Sequence, residues 1–148
     1  MKIIIGNDHA GYTLKLKIMK YLDEQGHKVI DCGSYNSESM DFPISVDKVV
    51  KNIRELDDAV GILICGTGVG MSIAANKYKG IRASLVSDLF TAQMTKEHND
   101  SNVLCLGART IESNEAISVV NTWISSKYLG GKYEVRNKMI NKIEESEK

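Results

Sequence analysis

Residues 59–75 read AVGILICGTGVGMSIAA, and this stretch decides the fold. Ala59–Ile64 is a short apolar run without polar alternation, the pattern of a parallel strand covered on both faces. Gly66, Gly68 and Gly70 then let the backbone turn tightly and present N–H groups at the start of a helix expected to run through Asn76. Such a turn suits a phosphate, a carboxylate or a developing oxyanion. Cys65 stands where the strand ends, at the edge where open α/β sheets hold ligands. A thiol beside an anion cradle points to an enzyme. The same residue types also serve plainer ends, since glycines close tight turns and cysteine is often a small buried apolar group.

Outward from this stretch, strands and helices alternate along the chain. Strands are expected at Lys2–Ile5, Lys28–Asp31, Ile81–Val86 and Val103–Leu106 as well as Ala59–Ile64. Tyr12–Gln25 places Leu14, Ile18 and Leu22 on one helical face, and Gly26 stops it. Asp41 and Pro43 open a second helix carrying Val46, Val49, Val50 and Ile53. Ser87 or Asp88 can cap a helix reaching about Glu97, and Glu112–Ser125 forms another. The alternation predicts a single α/β, Rossmann-like domain over residues 1–148: a five-stranded parallel sheet with helices on both faces. After Gly130 and Gly131, Lys132–Glu145 reads as a C-terminal amphipathic helix with Val135, Met139, Ile140 and Ile143. Packing on another subunit and docking on its own domain both fit that stripe.

Composition narrows the functional classes. The 19 basic and 19 acidic residues give no electrostatic case for nucleic acid or an anionic membrane. The chain enters a strand at Lys2, which leaves no room for a signal peptide, and no apolar run reaches the roughly 18 residues of a membrane span. Cys32, Cys65 and Cys105 follow no zinc spacing, so a reduced, cytoplasmic protein is expected. The glycine loop is G-x-G-x-G, follows the third strand and lacks a G-K-[ST] ending. It therefore departs from the dinucleotide and P-loop signatures, although Asp88 after the next strand keeps a dinucleotide reading open.

The carboxyl ends of the strands supply Gly6-Asn7-Asp8-His9, Cys65-Gly66-Thr67 and Gly107-Ala108-Arg109. The helix after strand four ends in His98-Asn99-Asp100, and the sequence reading groups this motif with the same edge. Taken singly, Asp8 is a helix cap, His98-Asn99 a helix terminus and Arg109 a surface cation. Together they form an acid, a base, oxyanion donors and a guanidinium, with no convincing set of metal ligands. These parts suit metal-free acid–base chemistry on a small anion.

The segments NDHAG (7–11), ICGTGVGMSIAANK (64–77), GIRA (80–83), EHNDSNVLCLGAR (97–109) and YLGGKYEVR (128–136) resemble ribose-5-phosphate isomerase type B. That cofactor-free family also contains the galactose-6-phosphate isomerase subunits, and the resemblance runs through nearly the whole chain. It implies that Cys65 moves the proton between C1 and C2, that His98 opens the furanose ring, and that Asp8 assists near the ring hydroxyls. It places Thr67 and the amides of Gly66, Gly68, Val69 and Gly70 around the reacting carbonyl, and Asn99 on sugar hydroxyls. It implies that His9, Arg109 and Arg136 grip the phosphate, joined by Lys132 where the family usually carries arginine. A lysine keeps the charge and loses the bidentate fork.

These roles agree with elementary chemistry. Removing a proton alpha to a carbonyl needs a base, a proton route to oxygen and donors aimed at the growing oxyanion. An aldose and its ketose differ only in proton positions, so no redox cofactor or metal is expected. The resemblance further implies a homodimer with a shared active site, a tetramer being the larger alternative. The alternatives in function are an isomerase of allose 6-phosphate or galactose 6-phosphate, and a non-catalytic nucleotide- or metabolite-binding module. The intact Cys65 and His98-Asn99-Asp100 favour the ribose type.

Overall fold

Five parallel strands lie in the order β2-β1-β3-β5-β4 in the computed structural model, which describes residues 1–147. The strands are β1 (Lys2–Asn7), β2 (Lys28–Asp31), β3 (Ala59–Cys65), β4 (Ala83–Leu85) and β5 (Val103–Gly107). The helices are α1 (Tyr12–Glu24), α2 (Phe42–Glu55), α3 (Val69–Ala75), α4 (Leu89–Asn99), α5 (Ser113–Ser125) and α6 (Lys132–Ser146). A short 3-10 turn, His9–Gly11, joins β1 to α1. The expected five-stranded parallel sheet and C-terminal helix are both present.

The central strands explain why the sequence of β3 does not alternate. Ile62 and Ile64 join Ile3, Ile5, Leu104 and Leu106 in a core covered by α1 and α5. Leu63 and Cys65 point the other way, with Ile4, Val103 and Cys105, into a core covered by α2 and α3. Each face removes apolar side chains from water at roughly 25 cal/mol per Å², so every position of β3 gains from being hydrophobic. β4 is shorter than the expected Ile81–Val86. Ile81 and Val86 are buried in the core, but Arg82 is held by the Asn102 side chain, its N–H donating to Asn102 Oδ1 at 2.8 Å.

α1 carries a residue that its apolar stripe conceals. Lys15 is fully buried, and its ammonium donates to Asp31 Oδ1 at 3.1 Å and to the carbonyl of Ser34. The rings of Tyr12 and Tyr35 lie 5.1 and 5.3 Å from the same nitrogen. Asp31 Oδ1 also accepts the Gly33 amide at 2.9 Å, so the pair ties the end of β2 to α1.

α6 docks on its own domain, but through its polar side. Asn137 is buried, and Glu144 accepts the Gly80 amide, while Val135, Met139, Ile140 and Ile143 stay exposed. A groove of about 770 Å³ separates this helix from the start of β4, lined by Asn76, Arg82, Ser84, Asn99, Ile140 and Ile143.

Candidate active site

The end of β3 is laced to both neighbouring loops. The Ile64 carbonyl accepts the Asp8 amide at 3.1 Å, the Cys65 carbonyl accepts that of Ala108 at 2.8 Å, and the Gly66 carbonyl accepts that of Arg109 at 2.9 Å. Cys65 pairs in register with Gly107. Asp8, Cys65, Thr67 and Arg109 are thereby brought to one edge by backbone bonds alone.

Of the three loop glycines only Gly68 has positive φ, at +79°, and a Cβ there would sit 2.9 Å from the Leu106 carbonyl carbon. Gly107 has a different reason, because the Thr67 backbone crosses it and a Cβ would stand 2.6 Å from the Thr67 carbonyl. The Arg109 side chain lies across Gly66, with Nη1 3.2 Å from where a Cβ would be. A guanidinium is thus parked beside the loop.

Cys65 is buried, and its sulfur accepts the Gly68 N–H at 3.1 Å, a bond that is charge-assisted when the sulfur is a thiolate. The Val69 N–H donates to Thr67 Oγ1 at 3.2 Å. Two of the expected cradle amides are therefore committed inside the loop. Among the described residues the amides of Gly66, Thr67 and Gly70 donate to no other group, and these are the ones open to an oxyanion. The other two cysteines differ in character. Burial pushes the Cys105 thiol far above its ordinary range, with the nearby Cys65 adding to it, and burial followed by the Asp31 charge raises Cys32.

Asp8 serves as the expected cap, Oδ1 accepting from Ala10 at 2.9 Å and Gly11 at 3.2 Å, which leaves Oδ2 outside the cap. His9 Nδ1 accepts the Met40 amide at 3.3 Å. A ring whose Nδ1 accepts has Nε2 left as its donor.

His98 and Asn99 do not join this edge. A helix that follows a parallel strand runs back across the sheet, so α4 ends at the amino edge, just before β5 begins. The Asn99 carbonyl accepts Arg82 Nε at 2.8 Å beside the start of β4, and Asp100 takes the left-handed conformation at φ +50°. From Val103 to Gly107 β5 spans about 13 Å, which separates the two edges. The expectation that both motifs share one edge within a chain is corrected by this geometry. Lys132 and Arg136 also lie at the amino edge, 5.3 and 5.9 Å from the ring of Tyr133, whose own ring stacks on His98. Within one chain, Cys65, Asp8, His9, Thr67 and Arg109 form one cluster, and His98, Asn99, Lys132 and Arg136 form a second.

Sequence reasoning missed Tyr133, Asn137 and the buried Lys15. An aromatic one position after Lys132, in the first turn of α6, was the available signal for the first. Among the described residues no group of three or more His, Cys, Asp or Glu is placed to hold a metal ion. Among the described residues no helix is long and apolar enough to cross a membrane.

Comparison with known proteins finds relatives of the same fold along the whole chain. Ribose-5-phosphate isomerase B of Escherichia coli K12 is 43% identical over 144 residues, covering 97% of each chain. The solved ribose-5-phosphate isomerase B of Clostridium thermocellum superposes with a TM-score of 0.95 at 44% identity, covering 99% of both chains. That of Mycoplasma genitalium, solved with bound ribulose 5-phosphate, gives a TM-score of 0.89 at 38% identity over 99% of this chain and 97% of its own. The Ribose/Galactose Isomerase family description fits residues 3–140, and with the fold and the two clusters in place the chain belongs to that family.

Proposed function

We propose that this chain interconverts ribose 5-phosphate and ribulose 5-phosphate through an enediolate, in a site completed by a second copy. The observation that carries the reading is Cys65, a buried thiol held at the end of β3 beside three uncommitted amides and the Arg109 guanidinium. The ribulose 5-phosphate held by the Mycoplasma genitalium relative supports the substrate.

In the ring-opening step, His98 donates a proton to the ring oxygen, the bond from C1 to that oxygen breaks, and the C1 hydroxyl passes its proton to the Asp8 carboxylate, leaving the aldehyde. In the isomerisation step, the Cys65 thiolate takes the C2 proton from the open aldehyde. The electron pair moves onto O1, where the loop amides receive the developing charge; the O2 hydroxyl proton passes to O1, the double bond shifts to C2 and O2, and Cys65 returns its proton at C1. Oxyanion donors of this kind contribute on the order of 3 kcal/mol each to the transition state. Asp8 Oδ2 and Thr67 Oγ1 flank the sugar. His9 Nε2, Arg109, Lys132 and Arg136 take the phosphate, whose binding positions the reacting carbons.

The shared site is supported by the split between the two clusters and by the unpartnered apolar surface. Val135, Met139, Ile140 and Ile143 form one exposed stripe on α6, while Val69 and Ile73 on α3, Leu85 at the end of β4, and Leu89 and Phe90 at the start of α4 are exposed as well. A two-fold pairing that covers both would carry His98 of one copy to Cys65 of the other. A reducing compartment, the cytoplasm, fits three unpaired buried cysteines.

The test is to incubate the chelator-treated protein with ribose 5-phosphate, allose 6-phosphate and galactose 6-phosphate and to measure ketose. Preferential turnover of ribose 5-phosphate is expected. Preference for a six-carbon phosphate replaces the substrate, and binding without turnover of any of the three overturns the enzymatic reading.

A further inference from the structure

Nothing in the polar network fixes the imidazole of His98. Its backbone carbonyl accepts Asn137 Nδ2 at 2.9 Å, but among the described residues neither ring nitrogen has a hydrogen-bond partner. The residue sits in the last turn of α4, where helices fray, one residue before the helix ends at Asn99. A side chain there, held by no bond, would sample its rotamers.

What holds it is Tyr133. The two rings stack with centroids 4.0 Å apart and an interplanar angle of 10°. A face-to-face contact fixes the plane of the imidazole and leaves both nitrogens at its open edge. Tyr133 is itself placed by the docking of α6: Asn137, one turn on, donates to the His98 carbonyl and to the Tyr128 hydroxyl at 3.0 Å. The Tyr128 hydroxyl in turn donates to Glu134 at 2.8 Å. The polar bonds therefore lock the helix, and the aromatic face locks the acid.

We propose that Tyr133 is the positioning residue for His98, holding the imidazole plane so that its unpartnered nitrogens meet the ring oxygen of the cyclic sugar. The inference rests on the reading of His98 as the ring-opening acid. It assigns the work to the aromatic face and none to the phenolic hydroxyl.

Two substrates separate the steps. Ribose 5-phosphate is a furanose that must open. Ribulose 5-phosphate cannot close to a furanose because its 5-oxygen is esterified, so solvent deuterium entering its C1 reports proton transfer without ring opening. For Tyr133→Ala, and for Tyr133→Leu, which keeps the apolar bulk, kcat on ribose 5-phosphate should fall on the order of tenfold with KM held, while deuterium entry stays within about twofold. Tyr133→Phe should match the parent protein in both. The His98 imidazole proton resonances should move downfield in the Ala and Leu variants and stay put in Phe, as the ring current requires.

Raised KM at unchanged kcat would overturn the proposal, since Tyr133 would then be arranging Lys132 and Arg136. So would a Tyr133→Phe variant as impaired as Tyr133→Ala. His98→Asn tells the two failures apart. If it slows conversion but not deuterium entry while Tyr133→Leu does neither, the acid stands and its positioning by Tyr133 falls. If it slows both equally, the ring-opening reading falls and takes the positioning with it.

Discussion

Cys65 and His98 stand at opposite ends of β5: Cys65 is in register with Gly107, the last residue of that strand, and His98 precedes Val103, its first. No rotamer change closes about 13 Å of strand. The proposed reaction, which uses both groups on one sugar, would therefore draw them from two chains. Mixing Cys65→Ala with Arg136→Ala protein, each inactive alone, should restore about a quarter of the parent activity. Half of randomly mixed dimers pair unlike chains, and each of those has one complete site. Mixed dimers confirmed by mass that remain inactive refute the shared site.

Cys65→Ala should lower kcat on the order of a thousandfold with the circular dichroism spectrum and phosphate-ester binding retained, because the proposed mechanism loses its proton carrier. Cys105→Ala, one residue type and one strand away, should leave turnover within about threefold. Equal losses at the two positions would mean that the thiols matter for packing alone.

Asp31→Ala should destabilise the fold by about 3 kcal/mol in urea, because it leaves the fully buried Lys15 ammonium without its anion. Lys15→Met should cost less, since the abandoned Asp31 carboxylate is partly solvated. If Asp31→Ala proved the milder change, the ion pair would not be what holds β2 to α1.

Alkaline pH should weaken the fold through Cys105. Burial holds this thiol protonated in the native state, with the Cys65 charge acting in the same direction, whereas an unfolded chain releases the proton above about pH 8.5. The native state then binds more protons than the unfolded one. Stability is complete below that pH and falls by about 1.4 kcal/mol per unit above it. Cys105→Ala should flatten the slope between pH 9 and 10 in urea titrations, and parallel slopes would contradict the assignment.

Most of the fold can be read from hydrophobic patterning. β3 announces itself because both of its faces are covered, and Asp41, Pro43 and Asp88 mark helix starts by local chemistry that needs no tertiary partner. The strand order is not legible, since nothing in β4 or β5 says which of them lies next to β3. The cluster around Cys65 is legible for the same reason that β3 is: its parts follow strands directly. The edge on which His98 lies is misread by adjacency in sequence, because a helix carries its last residue to the far edge. Lys15 hides in an apolar stripe since its partner, Asp31, is remote in sequence, and Tyr133 carries no mark beyond its neighbour Lys132.

The sheet order has a consequence for a chain emerging from the ribosome. β4 pairs only with β5, which is made later, so residues 83–85 have no strand to join when they appear. Until Val103–Gly107 follows, the nascent sheet is β2-β1-β3 with one side of β3 open, and the Ala108 and Arg109 amides that fasten the Cys65 and Gly66 carbonyls do not yet exist. The Cys65 thiol thus spends part of synthesis on an unfinished edge, where strand addition by another nascent chain competes with the correct insertion. The glycine loop acquires its final shape only after nearly three-quarters of the 148 residues have been made.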